Sequence, residues 1–215
     1  MRTDTHISLA RTEVREGSLP KHAAIELDAG RLFAIAGGLG LPRSWPLATA
    51  AALEGFVEGI EKADAEGERG MERVHEGLRG ARAALARTCD RLVERLLPDA
   101  SLVAFGLSDG QLHVMSAGSG RVYLRRGGRP ERLTSREAQP GGLLRARPSQ
   151  CGTPVEPGDL IMAGSVSAFS TRAIAKVMQV LDADTRARPS TLATLLTDPA
   201  KAAGVGAAAV VVRVR

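Results

Sequence analysis

The first candidate for a site in this 215-residue chain is a glycine-rich segment. Arg31 is followed by an apolar run over residues 32–36, which ends in Gly37, Gly38 and Gly40. Glycines after a buried strand allow a positive φ or a close approach of backbone to a ligand. A phosphate-binding loop has the spacing G-x-G-x-x-G or ends in Lys-Ser/Thr. This segment has neither, so we do not predict a nucleotide site here.

The side chains that most often bind metals or act as nucleophiles show no recognised spacing. The four histidines share no ligand pattern; they are His6, His22, His75 and His113. Ser44 and Ser165 do not lie in the G-x-S-x-G motif of a nucleophile elbow. Cys89 and Cys151 are isolated and outside any C-x-x-C pair. We therefore predict two free thiols in a reducing cytoplasm.

Composition argues against two classes of partner. The net charge is +5, but the arginines are scattered along the chain and only 3% of residues are aromatic. Nucleic-acid binding is typical of a concentrated basic stripe with interleaved aromatic residues, so we predict no nucleic-acid partner. No stretch approaches the ~20 apolar residues of a membrane span, and residues 1–10 lack the apolar core of a signal peptide. We expect a cytoplasmic protein that does not bind a membrane.

The hydrophobic pattern changes between strand and helix periods along the chain. Residues 23–27 and 32–36 flank a turn and predict a hairpin. A first helix is predicted from Leu47, and a second extends over residues 71–96 and is closed by Pro98. The remaining predicted elements are strands at 7–14, 102–107, 112–116, 122–126, 160–163 and 209–214, helices at 170–181 and 190–196, and loops at 15–20 and 135–150. This order predicts two sheets packed face to face with helices outside.

Four motifs in this order resemble the metal-dependent Ser/Thr protein phosphatases of the PPM or type 2C family. Residues 33–41 are similar to the family's F-A-V-A-D-G-M-G-G, and residues 118–123 to its G-D-S-R-x-Y. Residues 157–167 are similar to P-G-D-x-L-L-L-x-S-D-G, and residues 206–212 to the closing D-N/D-A-T-V-V-V-V. The resemblance implies an α+β fold: a four-layer α-β-β-α sandwich of two antiparallel sheets flanked by helices, as one domain over residues 1–215.

The chain departs from the family where the family places its metal ligands. In the family, aspartates hold two Mg²⁺ or Mn²⁺ ions, which need oxygen ligands and generate the attacking hydroxide. The corresponding positions here, which we predict to be degenerate metal positions, are Ala23, Gly37, Val166 and Gly206. The early R-x-x-N-E-D motif is the loosest match and leaves Ser18 in place of its arginine. Ser119 replaces the aspartate of G-D-S-R, and the flap between Thr134 and Pro157 is short.

The resemblance and these departures together imply a pseudophosphatase, with no catalytic residue and no metal cofactor. Its partner is expected to be a protein, such as a kinase, a phosphoprotein or a regulator in a bacterial-type signalling pathway. Lys21, Arg43 and Arg121 could line the remaining cleft and contact phosphate or the partner. Two alternatives stay open. One is an active hydrolase with a rebuilt site, and the other is a structural or oligomerisation subunit. The active hydrolase would use Asp4, Asp28 or Asp159 as its rebuilt metal ligands.

Overall fold

The computed structural model describes residues 2–14, 17–92, 97–135 and 141–215, and within them it contains twelve strands and four α-helices. The strands are β1 (Thr3–Ala10), β2 (Thr12–Val14), β3 (Gly17–Leu19), β4 (His22–Leu27), β5 (Leu32–Leu39), β6 (Asp99–Ser108), β7 (Gln111–Ala117), β8 (Arg121–Arg125), β9 (Glu131–Arg132), β10 (Ser149–Pro154), β11 (Leu160–Gly164) and β12 (Ala207–Val214). The α-helices are α1 (Trp45–Ala65), α2 (Gly70–Cys89), α3 (Thr171–Ala183) and α4 (Pro189–Ala202).

Two antiparallel sheets form the centre of the fold. Sheet I has the strand order β10-β7-β6-β5-β4, and sheet II has the order β1-β12-β11-β8-β9. Strands β2 and β3 form a separate small hairpin. The predicted arrangement of two antiparallel sheets with helices outside is therefore confirmed.

Three buried apolar clusters correspond to the three interfaces of a four-layer sandwich. The first packs α1 and α2 on sheet I, and the second packs α3 and α4 on sheet II. The third lies between the sheets and includes Phe33 and Phe105, whose rings stack with centroids 4.8 Å apart. Val210 and Ile161 of sheet II are fully buried in the same cluster. Alternate residues of the central strands thus face the helices and the opposite sheet, as strand geometry requires.

The tight turns follow from residues that accept a positive φ. Asp109 and Gly110, between β6 and β7, have φ values of 50° and 73°, as a type I′ turn demands. Asp28, Ala29 and Gly30 join β4 to β5 with φ values of 56°, 50° and 82°. The predicted hairpin of residues 23–27 and 32–36 is confirmed, and it sets the register between the strands that carry the candidate site.

Helices α1 and α2 pack closely because glycines line their contact. A Cβ on Gly80 would overlap the carbonyl oxygen of Gly55, and one on Gly59 would overlap that of Glu76. A Cβ on Gly77 would lie 2.6 Å from a ring carbon of Phe56. Small residues permit this approach of two backbones, so the pair covers sheet I as a thin layer.

Three sequence predictions of secondary structure were wrong in extent. Helix α2 ends at Cys89 rather than at Leu96, and residues 93–96 lie outside the described part of the chain. Thr88, Cys89 and Asp90 are weak helix formers, which favours the earlier end. The predicted loop at 15–20 contains β3, and Ser149 and Gln150 of the loop predicted at 135–150 begin β10.

Among the described residues, no helix combines the length and the apolar character that crossing a membrane requires. Cys89 is buried and Cys151 is partly buried, and both are free thiols.

Candidate functional site

Several strand ends meet at one end of the sandwich, and they carry most of the predicted site residues. Gly37 lies near the end of β5, and its cross-strand partner is His22, the first residue of β4. Gly206 directly precedes β12, and Val166 follows β11 in a short 3-10 helix. We refer to this region as the glycine cleft, defined by His22, Gly37, Val166 and Gly206.

The His22 ring occupies the space between Gly37 and Gly206. Its Nε2 donates a hydrogen bond of 3.1 Å to the carbonyl oxygen of Gly206, since a carbonyl can only accept. A Cβ on Gly37 would lie 2.7 Å from His22 Nδ1 and 2.9 Å from Ser101 Oγ. Real Cβ atoms do not approach other heavy atoms so closely, so this packing excludes a side chain at position 37 unless His22 moves.

The His22 imidazole is held neutral. Burial, with a smaller contribution from the charge of Lys21, lowers the pKa of His22 from 6.5 to about 4. Its Nδ1 is buried, and no hydrogen-bond partner for it exists among the described residues. A neutral imidazole with one free lone pair is a weak base here, because desolvation disfavours its protonated form.

Gly206 is enclosed in the same way. A Cβ at this position would overlap Thr12 Oγ1, and it would lie 3.1 Å from Lys21 Cβ. The Gly206 carbonyl accepts a second hydrogen bond, of 2.6 Å, from Ser167 Oγ. The Thr12 hydroxyl is itself buried and has no partner within the described part of the chain. An aspartate at position 206 would therefore displace its neighbours.

Val166 lies between two serines that are engaged in hydrogen bonds. Ser165 Oγ is 2.9 Å from Ser167 Oγ and accepts a hydrogen bond of 3.2 Å from the Ala208 amide. The Val166 side chain is 40% exposed, so it points away from the buried polar groups. The two hydroxyls hold the start of the 3-10 helix against β12.

Ala23 does not face this cleft. It pairs with Ala36 and packs against the cluster under α1 and α2, on the other face of sheet I. Residues directly opposite each other in an antiparallel pair share a face, so His22 is the residue that accompanies Gly37. Ala23, which we predicted to be a degenerate metal position, thus lies on the face opposite to that of His22, because successive side chains of a strand alternate between faces.

The three basic residues predicted to line the cleft lie near this end but do not converge on one point. The Lys21 ammonium lies 4.8 Å from the centre of the Trp45 ring, a cation–π contact. Arg121 is the first residue of β8 and donates a 3.4 Å hydrogen bond to the Phe169 carbonyl. Its Nε is buried and unpartnered among the described residues. Arg43 is exposed in the turn before α1.

The aspartates considered as rebuilt metal ligands lie elsewhere. Asp4 pairs with Arg215, and Asp28 pairs with Arg73. Asp159 is buried and accepts hydrogen bonds of 3.0 and 2.7 Å from Arg126. Each of these carboxylates stabilises a turn or a strand end, and none is adjacent to Gly37.

The donor groups of the glycine cleft do not fit a pair of hard divalent cations. Mg²⁺ and Mn²⁺ take oxygen ligands, and carboxylates supply both the ligand atoms and the compensating charge. The cleft offers one neutral imidazole and the hydroxyls of Ser165 and Ser167, which already have partners, and the unpartnered Thr12 hydroxyl beside Gly206 carries no charge. Across residues 2–14, 17–92, 97–135 and 141–215, no group of three or more His, Cys, Asp or Glu side chains is placed to hold a metal.

Solved structures of phosphatases share this architecture over the whole chain. A PPM Ser/Thr phosphatase from Mycobacterium smegmatis, solved with cacodylate, is 21% identical with a TM-score of 0.77, covering 99% of this chain and 98% of the other. The catalytic domain of the phosphatase PstP with two manganese ions is 16% identical with a TM-score of 0.81 and 99% coverage of both chains. PppA of Pseudomonas aeruginosa, a regulatory component of the type VI secretion system, is 18% identical with a TM-score of 0.75, covering 99% and 98%.

These likenesses show that the chain has the fold of the PPM-type Ser/Thr phosphatases, as its motifs predicted. Neither the protein-family models nor the curated proteins include a match to this sequence.

We predict that Gly37 and His22 are energetically coupled. Gly37→Ala should lower the free energy of unfolding by about 1–3 kcal/mol, because the new methyl group overpacks against His22. In a His22→Ala background the same substitution should cost at least about 1 kcal/mol less. Urea denaturation of the four proteins measures this coupling. Gly128→Ala is the control, since a Cβ there meets nothing within 4 Å, and it should be additive with His22→Ala.

The stability of the wild-type protein should fall as the pH is lowered from 7.5 to 4.5. His22 has a pKa of about 4 when folded and 6.5 as its ordinary value, so the unfolded chain binds more protons in this interval. The contribution of neutral His22 to the free energy of unfolding is therefore fully present above pH 6.5 and is lost as the pH falls toward 4. Residual solvent access reduces the effect to about 2 kcal/mol. The pH dependence of urea unfolding, compared with that of His22→Gln, isolates it. Identical pH profiles in the two proteins would contradict a neutral buried His22.

Proposed function

We propose that this protein is a catalytically inactive PPM-type phosphatase, a pseudophosphatase that acts as a regulatory, protein-binding module. The observation that carries the proposal is the packing around Gly37 and Gly206, where His22, Ser101 and Thr12 occupy the space that a ligand side chain would need. The cleft has lost the carboxylates and has also been filled by neutral groups.

The chemistry of the remaining groups favours the same conclusion. Phosphate ester hydrolysis in this fold requires a hydroxide that two cations generate near neutral pH. His22, with a pKa of about 4, is too weak a base to replace them at pH 7. The hydroxyls of Ser165 and Ser167 contact each other, and Ser167 donates to the Gly206 carbonyl. No residue of the glycine cleft is thus prepared to attack phosphorus or to deprotonate water.

Binding without hydrolysis remains chemically reasonable at this end of the sandwich. Lys21 Cβ lies beside Gly206, and Arg121 pairs with Gly164, two residues before Val166. We propose that these two residues and Arg43 contact the phosphate or the partner, because guanidinium and ammonium groups bind phosphoryl oxygens. The buried, unpartnered Nε of Arg121 within the described chain is a donor that an anionic group could satisfy. We propose that the partner is a kinase, a phosphoprotein or a regulator of Ser/Thr phosphorylation in a bacterial pathway.

We also propose that the protein is cytoplasmic, because the reducing conditions there suit its two free thiols.

The first test is hydrolysis and metal binding. We expect no turnover of p-nitrophenyl phosphate above buffer and no saturable Mn²⁺ binding at millimolar concentrations by isothermal titration calorimetry. A PPM phosphatase that has its aspartates, assayed alongside, is the positive control. Saturable Mn²⁺ binding accompanied by turnover would establish the active, rebuilt-site alternative instead.

The second test concerns the partner. Wild-type protein, used as bait in extracts of the native host, should capture a partner protein. The Lys21→Glu/Arg43→Glu variant should capture at least about tenfold less of it, because two attractive charges become repulsive. Arg87→Glu on the exposed face of α2 is the matched control and should retain the protein normally. Equal retention by all three proteins would remove the glycine cleft as the binding surface, and self-association detected by light scattering would favour a structural subunit.

A further inference from the structure

A second cleft, of about 1190 Å³, lies at the end of sheet II opposite to the glycine cleft. It is formed by the start of β1, the ends of β8 and β12, and the connection from α3 to α4. Strand β12 begins next to Gly206 and ends at Val214, so the two clefts are separated by about 23 Å along this strand. We refer to the second one as the arginine cleft.

The arginine cleft concentrates positive charge. Five arginines line it: Arg125, Arg186, Arg188, Arg213 and Arg215. Among the described lining residues, the one acidic side chain is Asp4, which already pairs with Arg215 at 2.9 Å. Asp184 lies close enough to influence Arg213 electrostatically. The charges are therefore far from balanced, and the residues are distant in sequence, so that only the sheet topology brings them together.

Two of these guanidinium groups are incompletely satisfied. The Nε atoms of Arg125 and Arg213 are buried and have no hydrogen-bond partner within the described residues. Burial, followed by the charge of Arg125, lowers the pKa of Arg213 below its ordinary value. A buried donor without a partner costs free energy comparable to a lost hydrogen bond. An anion bound at the accessible N–H groups of these arginines would offset the repulsion between the two guanidinium groups.

The N-terminus of α4 opens into the same cleft. Arg188 is its N-cap, Pro189 occupies the first turn, and Ser190 lines the cleft. No side chain caps this end of the helix, and its first turn contains no acidic residue. The free backbone amides and the helix dipole at such an end favour a negative charge. The helix end therefore favours the same charge as the arginines do, a negative one.

We propose that the arginine cleft binds a compact small-molecule polyanion that carries two or more phosphoryl groups. Its volume is far greater than one phosphate requires, and five arginines can serve several phosphoryl oxygens through paired N–H donors. Among the described residues that line the cleft there is no Phe, Tyr or Trp on which a nucleobase could stack, so recognition rests on the anionic groups. This site is independent of the glycine cleft and of the proposed function.

Titration calorimetry of the purified protein with inorganic tripolyphosphate tests the proposal, with orthophosphate as the comparison. Tripolyphosphate should bind saturably, at least about tenfold more tightly than orthophosphate, and its affinity should fall as NaCl is raised because the contacts are ionic. It should also raise the melting temperature.

Three variants locate the binding. The double variant Arg186→Gln/Arg188→Gln changes exposed residues, so it should fold normally and bind tripolyphosphate at least about tenfold less tightly. Arg125→Gln should also fold and should also bind tripolyphosphate at least about tenfold less tightly. Arg172→Gln, at the exposed start of α3 near the glycine cleft, is the matched control and should bind as wild type does. Unchanged binding by the first two variants, or no binding by wild type, would refute the site. A phosphoserine peptide or a short oligonucleotide that binds more tightly than tripolyphosphate would refute the ligand class.

Discussion

The packing of the two sheets against each other is the constraint on which both clefts depend. Phe33 and Phe105 from sheet I meet Ile161 and Val210 from sheet II in one dry, buried layer. Because protein interiors are close-packed, this layer fixes the relative position of the strands to within a fraction of a side chain. The ends of the strands are fixed by the same packing. The residues at these ends are therefore held in a defined arrangement, whether or not they do chemistry.

The glycine cleft is an arrangement of neutral groups within this rigid frame. Carboxylates held close together would repel one another and need cations to balance them. Gly37 and Gly206, with neutral His22 between them, place no such charges at these positions. The Gly206 carbonyl, which accepts from His22 and from Ser167, ties β4 and the segment after β11 to the start of β12. The strand ends are thus joined by hydrogen bonds between neutral groups.

The sequence predicted the layers and the hairpin of residues 23–27 and 32–36, because hydrophobic period and turn residues are local signals. Gly37, Val166 and Gly206 were named through the resemblance to the PPM family. The sequence failed where the decisive contact is distant. Ala23 was predicted to be a degenerate metal position, but the pairing of His22 with Gly37 places His22 beside that glycine and leaves Ala23 on the helix-covered face of sheet I. Strand β10 contains Gly152 and Pro154 and has a polar sequence, so its pairing with β7 leaves no local pattern.

The arginine cleft illustrates the same limit for charge. Along the chain the arginines look scattered, and a net charge of +5 is modest for 215 residues. Strands β8 and β12 both pair with β11, so they terminate at the same end of the sheet. The α3–α4 connection brings Arg186 and Arg188 to that end. Five positive charges then face one carboxylate in a confined space. Electrostatic potential depends on this local imbalance rather than on the total, so the chemically distinctive end of the molecule is one that no sequence motif marks.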